Sequence, residues 1–269
     1  MKWQSLSSPS NPRIKQLVRL QEKPRERREA GLVIVEGFRE IRKAIGAGYS
    51  PVELYTTQDW AESEKIKDIL DYFTQASAYL LSNEAFARIA YRETTEGMVA
   101  IFEARSHELA RIQLSQNPLI LVAESVEKPG NLGALLRTAD AAGVDALVVC
   151  DTRTDVYNPN VVRASIGTLF SVQVGVADSA TVIDWLRGNG IRPFAAALTP
   201  RAITYTLADF SQPTAIVVGS ESEGLSNEWL AACSDHIIIP MHGSADSLNV
   251  SVSAAIIIYE ALRQRNPQN

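Results

Sequence analysis

The chain predicts an α/β protein in two parts: a small N-terminal α/β domain, and a larger C-terminal domain with a mostly parallel sheet. Three observations carry this. Segments of strand and helix character alternate along the sequence, which is the pattern of layered α/β architecture. Most C-terminal strand candidates are short, continuous apolar runs, as expected of strands covered on both faces of a parallel sheet. The alternation breaks once, at the polar stretch "RSHELARIQLSQNP" (105–118), which ends in Asn-Pro and marks a boundary. The expected domains are therefore 1–105 and 118–269, joined by a linker at 106–117. The 269 residues suit this division, at roughly 100 to 200 residues per domain.

In the N-terminal part, "GLVIVEG" (31–37) has the short apolar run of a buried strand. An amphipathic helix at about 37–47 follows, with Ile41 and Ile45 on one face. Then come "VELYTT", a helix from near Asp59 with Ile66, Ile69 and Leu70 inward, "AYLLS", a helix from Asn83, and "GMVAIFEA". In the C-terminal part, strands are expected at "LILVA" (119–123), "ALVVC" (146–150), "FSVQVGV" (170–176), "PFAAAL" (193–198), "TAIVVG" (214–219) and "HIIIP" (236–240). Helices fill the gaps at about 131–142, 179–188, 226–232 and 249–265. Open parallel sheets bind ligands beyond the carboxyl ends of their strands, which directs attention to the loops after 123, 198, 219 and 240.

Composition narrows the function classes. No run of about 18 apolar residues is present to span a membrane. The opening "MKWQSLSSPSNPRIKQL" lacks the apolar core of a signal peptide, so a cytoplasmic location is expected. Cys150 and Cys233 have no metal-ligand spacing and read as small buried hydrophobes. His107, His236 and His242 are scattered, so no metal site is expected. The net charge of −5 hides an asymmetry: residues 1–43 hold eleven Lys and Arg against five Glu, a balance of +6 on a body of −11. Such an arm suits phosphate contacts. It equally suits a solvated helix face, with Glu22 and Glu26 set among Arg25, Arg27 and Arg28.

Three loops hold the unusual residues. In "ESVEKPGNLGALLRTADAAG" (124–143), Leu132, Leu135, Leu136 and Ala139 form the buried stripe of a helix and Arg137 falls off it. Helical side chains lean toward the N-terminus, so Arg137 would pass over Gly133 toward Asn131, or else pair with Asp140. In "VVGSESEGL" (217–225), Gly219 allows close backbone approach, Gly224 a positive φ, and Glu221 sits between them; a plain turn fits this pattern too. The loop has no Lys and two carboxylates, unlike a phosphate cradle, and no G-x-G-x-x-G follows any strand, so a nicotinamide or nucleotide enzyme lacks its fingerprint. In "PMHGSADSLNVSVSAAIIIYEAL" (240–262), a small-residue loop leads into a helix that is apolar nearly all round, which requires burial in the core or against a partner. Asn249 suits the N-cap of that helix.

Together, N-x-G-x-x-x-R-T from Asn131, V-V-G-S-E-S-E-G-L around Glu221, and I-P-M-x-G-x-x-x-S-L-N-V-S-V from Ile239 resemble the three motifs of the SpoU/TrmH branch of the SPOUT RNA methyltransferases. The resemblance covers about 118–265. The stretch "NPRIKQLVRLQEKPRERREAGLVIVEGFREIRKAI" (11–45) resembles the substrate-binding domain often attached to this branch. The resemblance implies methyl transfer from S-adenosylmethionine to a ribose 2′-hydroxyl of RNA, a C-terminal trefoil knot, and a homodimer packed through the knot region and last helix. It implies Asn131, Arg137, Glu221, Ser247 and Asn249 as catalytic residues. Cofactor binding falls to Leu198, Thr199, Gly219, Ile239 and Leu248, and RNA phosphates to Arg13, Lys15, Arg19, Lys23, Arg25, Arg27 and Arg28. An Arg with a pKa above about 12 is a poor literal base, so Arg137 is expected to act electrostatically at the developing alkoxide. The two-domain layout favours 23S rRNA; tRNA, and a non-catalytic RNA-binding or ribosome-assembly protein of the same fold, are the alternatives. Asp246, beside Ser247, has no role in this reading.

Overall fold

The computed structural model describes residues 2–90 and 97–266. Its contacts divide the chain into two compact units: residues 1–106 with 155–171, and residues 107–154 with 172–269.

The first unit opens with β1 (Trp3–Leu6). Helix α1 (Pro12–Glu22) starts where Asn11 Oδ1 accepts from Arg13 N at 2.9 Å and Pro12 supplies a preset φ. Its buried face is Ile14, Leu17 and Leu20. Helix α2 (Pro24–Ala30) again starts on a proline, and it ends at Gly31 with φ 63°. Then follow β2 (Leu32–Glu36), α3 (Phe38–Gly46), β3 (Pro51–Thr57), α4 (Gln58–Ala61), α5 (Glu64–Leu70), β4 (Ser77–Leu81), α6 (Asn83–Ala87) and β5 (Met98–Glu103). The sheet order is β1-β4-β3-β5-β2, parallel where β4 meets β1 and β3 and antiparallel where β5 meets β2 and β3. Ile14, Leu17, Tyr55, Tyr79, Phe86 and Ile101 belong to its core.

Two expectations change here. Arg27 is 2% exposed. Its guanidinium donates to Asp155 Oδ2 from Nε at 2.8 Å, and to the carbonyl of Gln21. It is a structural cation and offers nothing to a phosphate. Arg13 is held by Glu53 and lies over the Tyr79 ring at 4.6 Å. Lys15, Arg19, Lys23, Arg25 and Arg28 are exposed, with Arg25 paired to Glu29. The segment bringing Asp155 carries helix α8 (Pro159–Ala164) and packs in this unit, although sequence order placed it inside the C-terminal domain.

The second unit contains β6 (Leu119–Glu124), α7 (Pro129–Ala142), β7 (Ala146–Cys150), β8 (Val174–Ala177), α9 (Ser179–Gly188), β9 (Arg192–Ala196), β10 (Ile203–Thr204), β11 (Thr214–Val218), α10 (Asn227–Ala232), β12 (Asp235–Ile238) and α11 (Val250–Arg265). Its sheet has seven strands in the order β10-β12-β9-β11-β6-β7-β8, and every pairing is parallel. The strand expected at 170–176 is shorter and later, because Thr168–Phe170 form a 3-10 turn after Gly167. The expected linker is an ordered strap on this unit: Val176 N donates to His107 O at 2.8 Å, and Leu109 enters the core.

From β6 the chain moves outward through β7 and β8, then crosses to β9 and returns to place β11 beside β6. The neighbouring strands β6 and β11 thus send their following segments to opposite sides. This is the topological switch point at which open parallel sheets bind ligands.

Candidate active site

The site is built at this switch point. Strand β6 leads through Ser125 to α7, whose Leu132, Leu135, Leu136 and Ala139 are buried. That stripe fixes the rotation of the helix, leaving Asn131 half-buried in the first turn and Arg137 exposed. Arg137 makes no hydrogen bond or ion pair with another described residue, so its guanidinium is available to a ligand.

Strand β11 ends in a tight loop closed by two hydrogen bonds between Ser220 and Gly224, each 3.1 Å. Gly219 is required by the loop itself, since a Cβ there would sit 2.2 Å from the carbonyl of Gly224. Gly224 has φ 70°. The loop holds Glu221 where its Oε1 accepts from Asn131 Nδ2. Arg153, from the loop after β7, braces the same region through ion pairs to Glu127 and, at 3.9 Å, to Glu223.

The loop after β12 contributes the third part. Asn249 caps α11, its Oδ1 accepting from Ser251 N at 3.0 Å and Ser251 Oγ at 2.6 Å. Its Nδ2 donates to Asn131 Oδ1 at 3.1 Å. Glu221, Asn131, Asn249 and Ser251 therefore form one hydrogen-bonded chain from three separate loops. Ser251 was missed as a site residue; its signal was its position two residues after Asn249, in the first turn of the helix that Asn249 caps.

Beside this chain lies a cavity of about 540 Å³, formed by the ends of β9 and β12, the loop after β12 and the start of α11. Leu198, Ile239 and Leu248, which the resemblance assigned to the cofactor, line it, and so does Ser247, which it assigned to catalysis. Thr199 and Gly219 do not belong to the lining, and Thr199 Oγ1 is hydrogen-bonded to His236 Nδ1 at 2.8 Å. Ser253 and Ile257, four apart on α11, line it as well; only their helical spacing could have pointed to them.

Neither cysteine is placed for chemistry. Both are buried, and desolvation pushes the Cys233 thiol up to about 12 and the Cys150 thiol higher still. Among the described residues, no group of three or more His, Cys, Asp or Glu is arranged to hold a metal ion.

A parallel sheet with a polar network at its switch point and a largely apolar cavity at the ends of β9 and β12 defines an α/β protein with a candidate small-molecule site. Comparisons with known proteins narrow the class. Residues 118–259 match the SpoU rRNA Methylase family, and residues 11–100 match the MRM3-like substrate binding domain. The chain is 33% identical over 266 residues to the 23S rRNA (uridine(2479)-2′-O)-methyltransferase of Streptomyces viridochromogenes, covering 95% of this chain and 91% of that one. It is 29% identical over 254 residues to the 23S rRNA (guanosine(2553)-2′-O)-methyltransferase RlmP of Bacillus subtilis, covering 94% and 97%. The crystal structure of the SpoU methyltransferase AviRb from S. viridochromogenes in complex with the cofactor AdoMet superposes with a TM-score of 0.88, at 31% identity and 95% and 98% coverage. The chain belongs to the SpoU rRNA methylase family.

Proposed function

We propose that this protein transfers a methyl group from S-adenosylmethionine to a ribose 2′-hydroxyl of 23S rRNA. The observation that carries the reading is the Glu221–Asn131–Asn249 chain beside the cavity, with Arg137, unpaired among the described residues, on the same helix as Asn131. Both rRNA relatives support the substrate class; because they modify different nucleosides, the target base is left open.

The cavity fits the cofactor. Its volume lies in the range of about 300–1,000 Å³ typical of small-molecule sites, and most of its lining residues are apolar, Ile237–Met241 among them. When bound, S-adenosylmethionine supplies a methyl group on a positively charged sulfur. Leu198, Ile239 and Leu248 would hold it, and Ser247 would stand between cavity and network. Arg137 stabilises the negative charge that develops on the 2′-oxygen and holds the adjacent phosphate; the hydroxyl proton leaves to phosphate or water. Asn131 is pinned on both sides, by Glu221 and by Asn249, so it presents a fixed amide to the ribose.

The exposed Lys15, Arg19, Lys23, Arg25 and Arg28 would position RNA through its phosphates. Helix α11 supports a homodimer. It buries Val250, Ala254, Ile257, Ile258 and Ala261 within the unit, yet Val252 and Tyr259 are 46% and 51% exposed. With the half-buried Ala255 and Ile256 they form an apolar stripe at helical spacing. A second copy of the chain covers that stripe in this reading. A knot formed by the 239–249 loop is supported by β11 and β12 each inserting between strands laid down earlier. Action on ribosomal RNA supports a cytoplasmic location.

The test is transfer of label from S-adenosylmethionine to unmodified rRNA and tRNA, followed by nuclease digestion. Label on a 2′-O-methylated nucleotide of 23S rRNA is the expected result. Label on tRNA alone would replace the substrate. Binding of rRNA and cofactor without transfer to free or ribosome-assembled RNA would favour the non-catalytic reading.

A further inference from the structure

Asp246 lies in the wall of the cavity, and among the lining residues it is the only one whose side chain carries a charge. The others are apolar residues, Gly243 and the two serines Ser247 and Ser253. Asp246 is exposed, and no hydrogen bond or ion pair to another described residue occupies its carboxylate. It does not brace the loop, and it stands apart from the Glu221–Asn131–Asn249 chain.

We propose that the Asp246 carboxylate sets the preference of this cavity for the methyl donor over the demethylated product. The inference rests on the cofactor assignment above. Donor and product share the adenine, ribose and amino-acid groups; they differ in one methyl group and in the charge on sulfur, which is positive in the donor and absent in the product thioether. A cavity of apolar side chains, backbone and hydroxyls has little with which to tell those two sulfurs apart. A single negative charge does, because it attracts the sulfonium and is indifferent to the thioether. The same preference speeds turnover, since transfer of the methyl group removes the charge that Asp246 was holding and so loosens the product.

The experiment is isothermal titration of the full-length protein with S-adenosylmethionine, S-adenosylhomocysteine and sinefungin, which carries an ammonium group in place of the sulfonium. Wild type is compared with Asp246→Asn and Asp246→Glu. Wild type is expected to bind the two cationic ligands more tightly than the thioether. Asp246→Asn should narrow that ratio by about 5-fold, the scale of one charge contact at a solvent-accessible site, by weakening the cations and leaving the thioether unchanged. Asp246→Glu should restore part of the ratio. Raising the ionic strength should narrow the wild-type ratio and leave that of Asp246→Asn flat. Equal weakening of all three ligands would overturn the assignment, because the carboxylate would then hold a group they share. An unchanged ratio would overturn it too. Failure of the wild type to bind any of them would instead overturn the cofactor reading, and this inference with it. Unchanged thermal unfolding of the variants checks that the loop is intact.

Discussion

Asn249 Nδ2 donates to Asn131 Oδ1 at 3.1 Å while Asn249 Oδ1 accepts from Ser251 N at 3.0 Å. One amide thus starts helix α11 with its oxygen and ties α7 to it with its nitrogen. The two roles separate by substitution. Asn249→Asp keeps the capping acceptor and should unfold near the wild-type temperature, whereas Asn249→Ala should lose about 1 kcal/mol. Both should lower kcat by about 10²-fold, the scale of one positioned donor in an active site. Thermal melts alongside methyl-transfer kinetics check this. Full activity in Asn249→Asp would reduce the residue to a helix cap.

Arg137 is absent from the cavity lining and makes no hydrogen bond or ion pair with another described residue. Arg137→Ala should therefore leave S-adenosylmethionine affinity unchanged and cut kcat by about 10²- to 10³-fold. Arg137→Lys should recover part of that, since it restores the charge without the planar fork suited to phosphate. Single-turnover rates with separately measured cofactor affinity make the comparison. A loss confined to cofactor binding would remove Arg137 from the reaction.

Gly219 has no room for a side chain, with a Cβ falling 2.2 Å from the Gly224 carbonyl and 2.5 Å from Leu225 N. Those atoms are backbone, so Gly219→Ala must open the loop that holds Glu221 against Asn131. The expected outcome is a loss of about 1–3 kcal/mol in urea unfolding together with loss of methyl transfer. Glu221→Gln should keep the stability, since the loop closes through its own backbone, and lose activity alone.

The parts of the fold that were legible are those where burial repeats at a fixed period. The stripe of α7 and the continuous runs of β6, β7 and β11 can be read directly, because each has one environment along its length. The segment 170–176 was misread because Phe170, Val172, Val174 and Val176 alternate as a strand does, while Gly167 at φ 74° turns the first part into a 3-10 turn. Helices α1 and α2 begin at Pro12 and Pro24, a start signal that was not used to expect them. Their role was harder, since an Arg that meets a carboxylate 128 residues away looks in sequence like any other in a basic arm. In the site, the resemblance of the three motifs to the SpoU/TrmH pattern implied Asn131, Glu221 and Asn249. The hydrogen bonds that join them depend on segments after β6, β11 and β12 converging, and the place of the exposed Asp246 in the cavity wall depends on the loop after β12 meeting the end of β9, which no local pattern encodes.

Cys150 and Cys233 are fully buried, and desolvation holds the Cys233 thiol near 12. At pH 8 that thiol is neutral in the folded protein, since its pKa lies above the working pH. A thiol-reactive disulfide reagent should label neither cysteine in the native protein and both in denaturant. Fast native labelling would show that the second unit opens around these strands.

Arg27 and Arg28 are neighbours in the basic arm with opposite fates. Arg27 is 2% exposed and its partner Asp155 has a side chain 12% exposed, so Arg27→Ala leaves a buried carboxylate without its cation. This should cost about 3–5 kcal/mol of stability. Arg28 is exposed, and Arg28→Ala should change stability by no more than about 0.5 kcal/mol. Its effect should appear in rRNA binding, where loss of one phosphate contact weakens affinity and reduces the slope of log K against log salt by about 0.7–0.9. Urea unfolding and filter binding across a salt series measure the two. A stable Arg27→Ala with a reduced salt slope would return Arg27 to the RNA surface; an unchanged slope in Arg28→Ala would move the RNA path off α2.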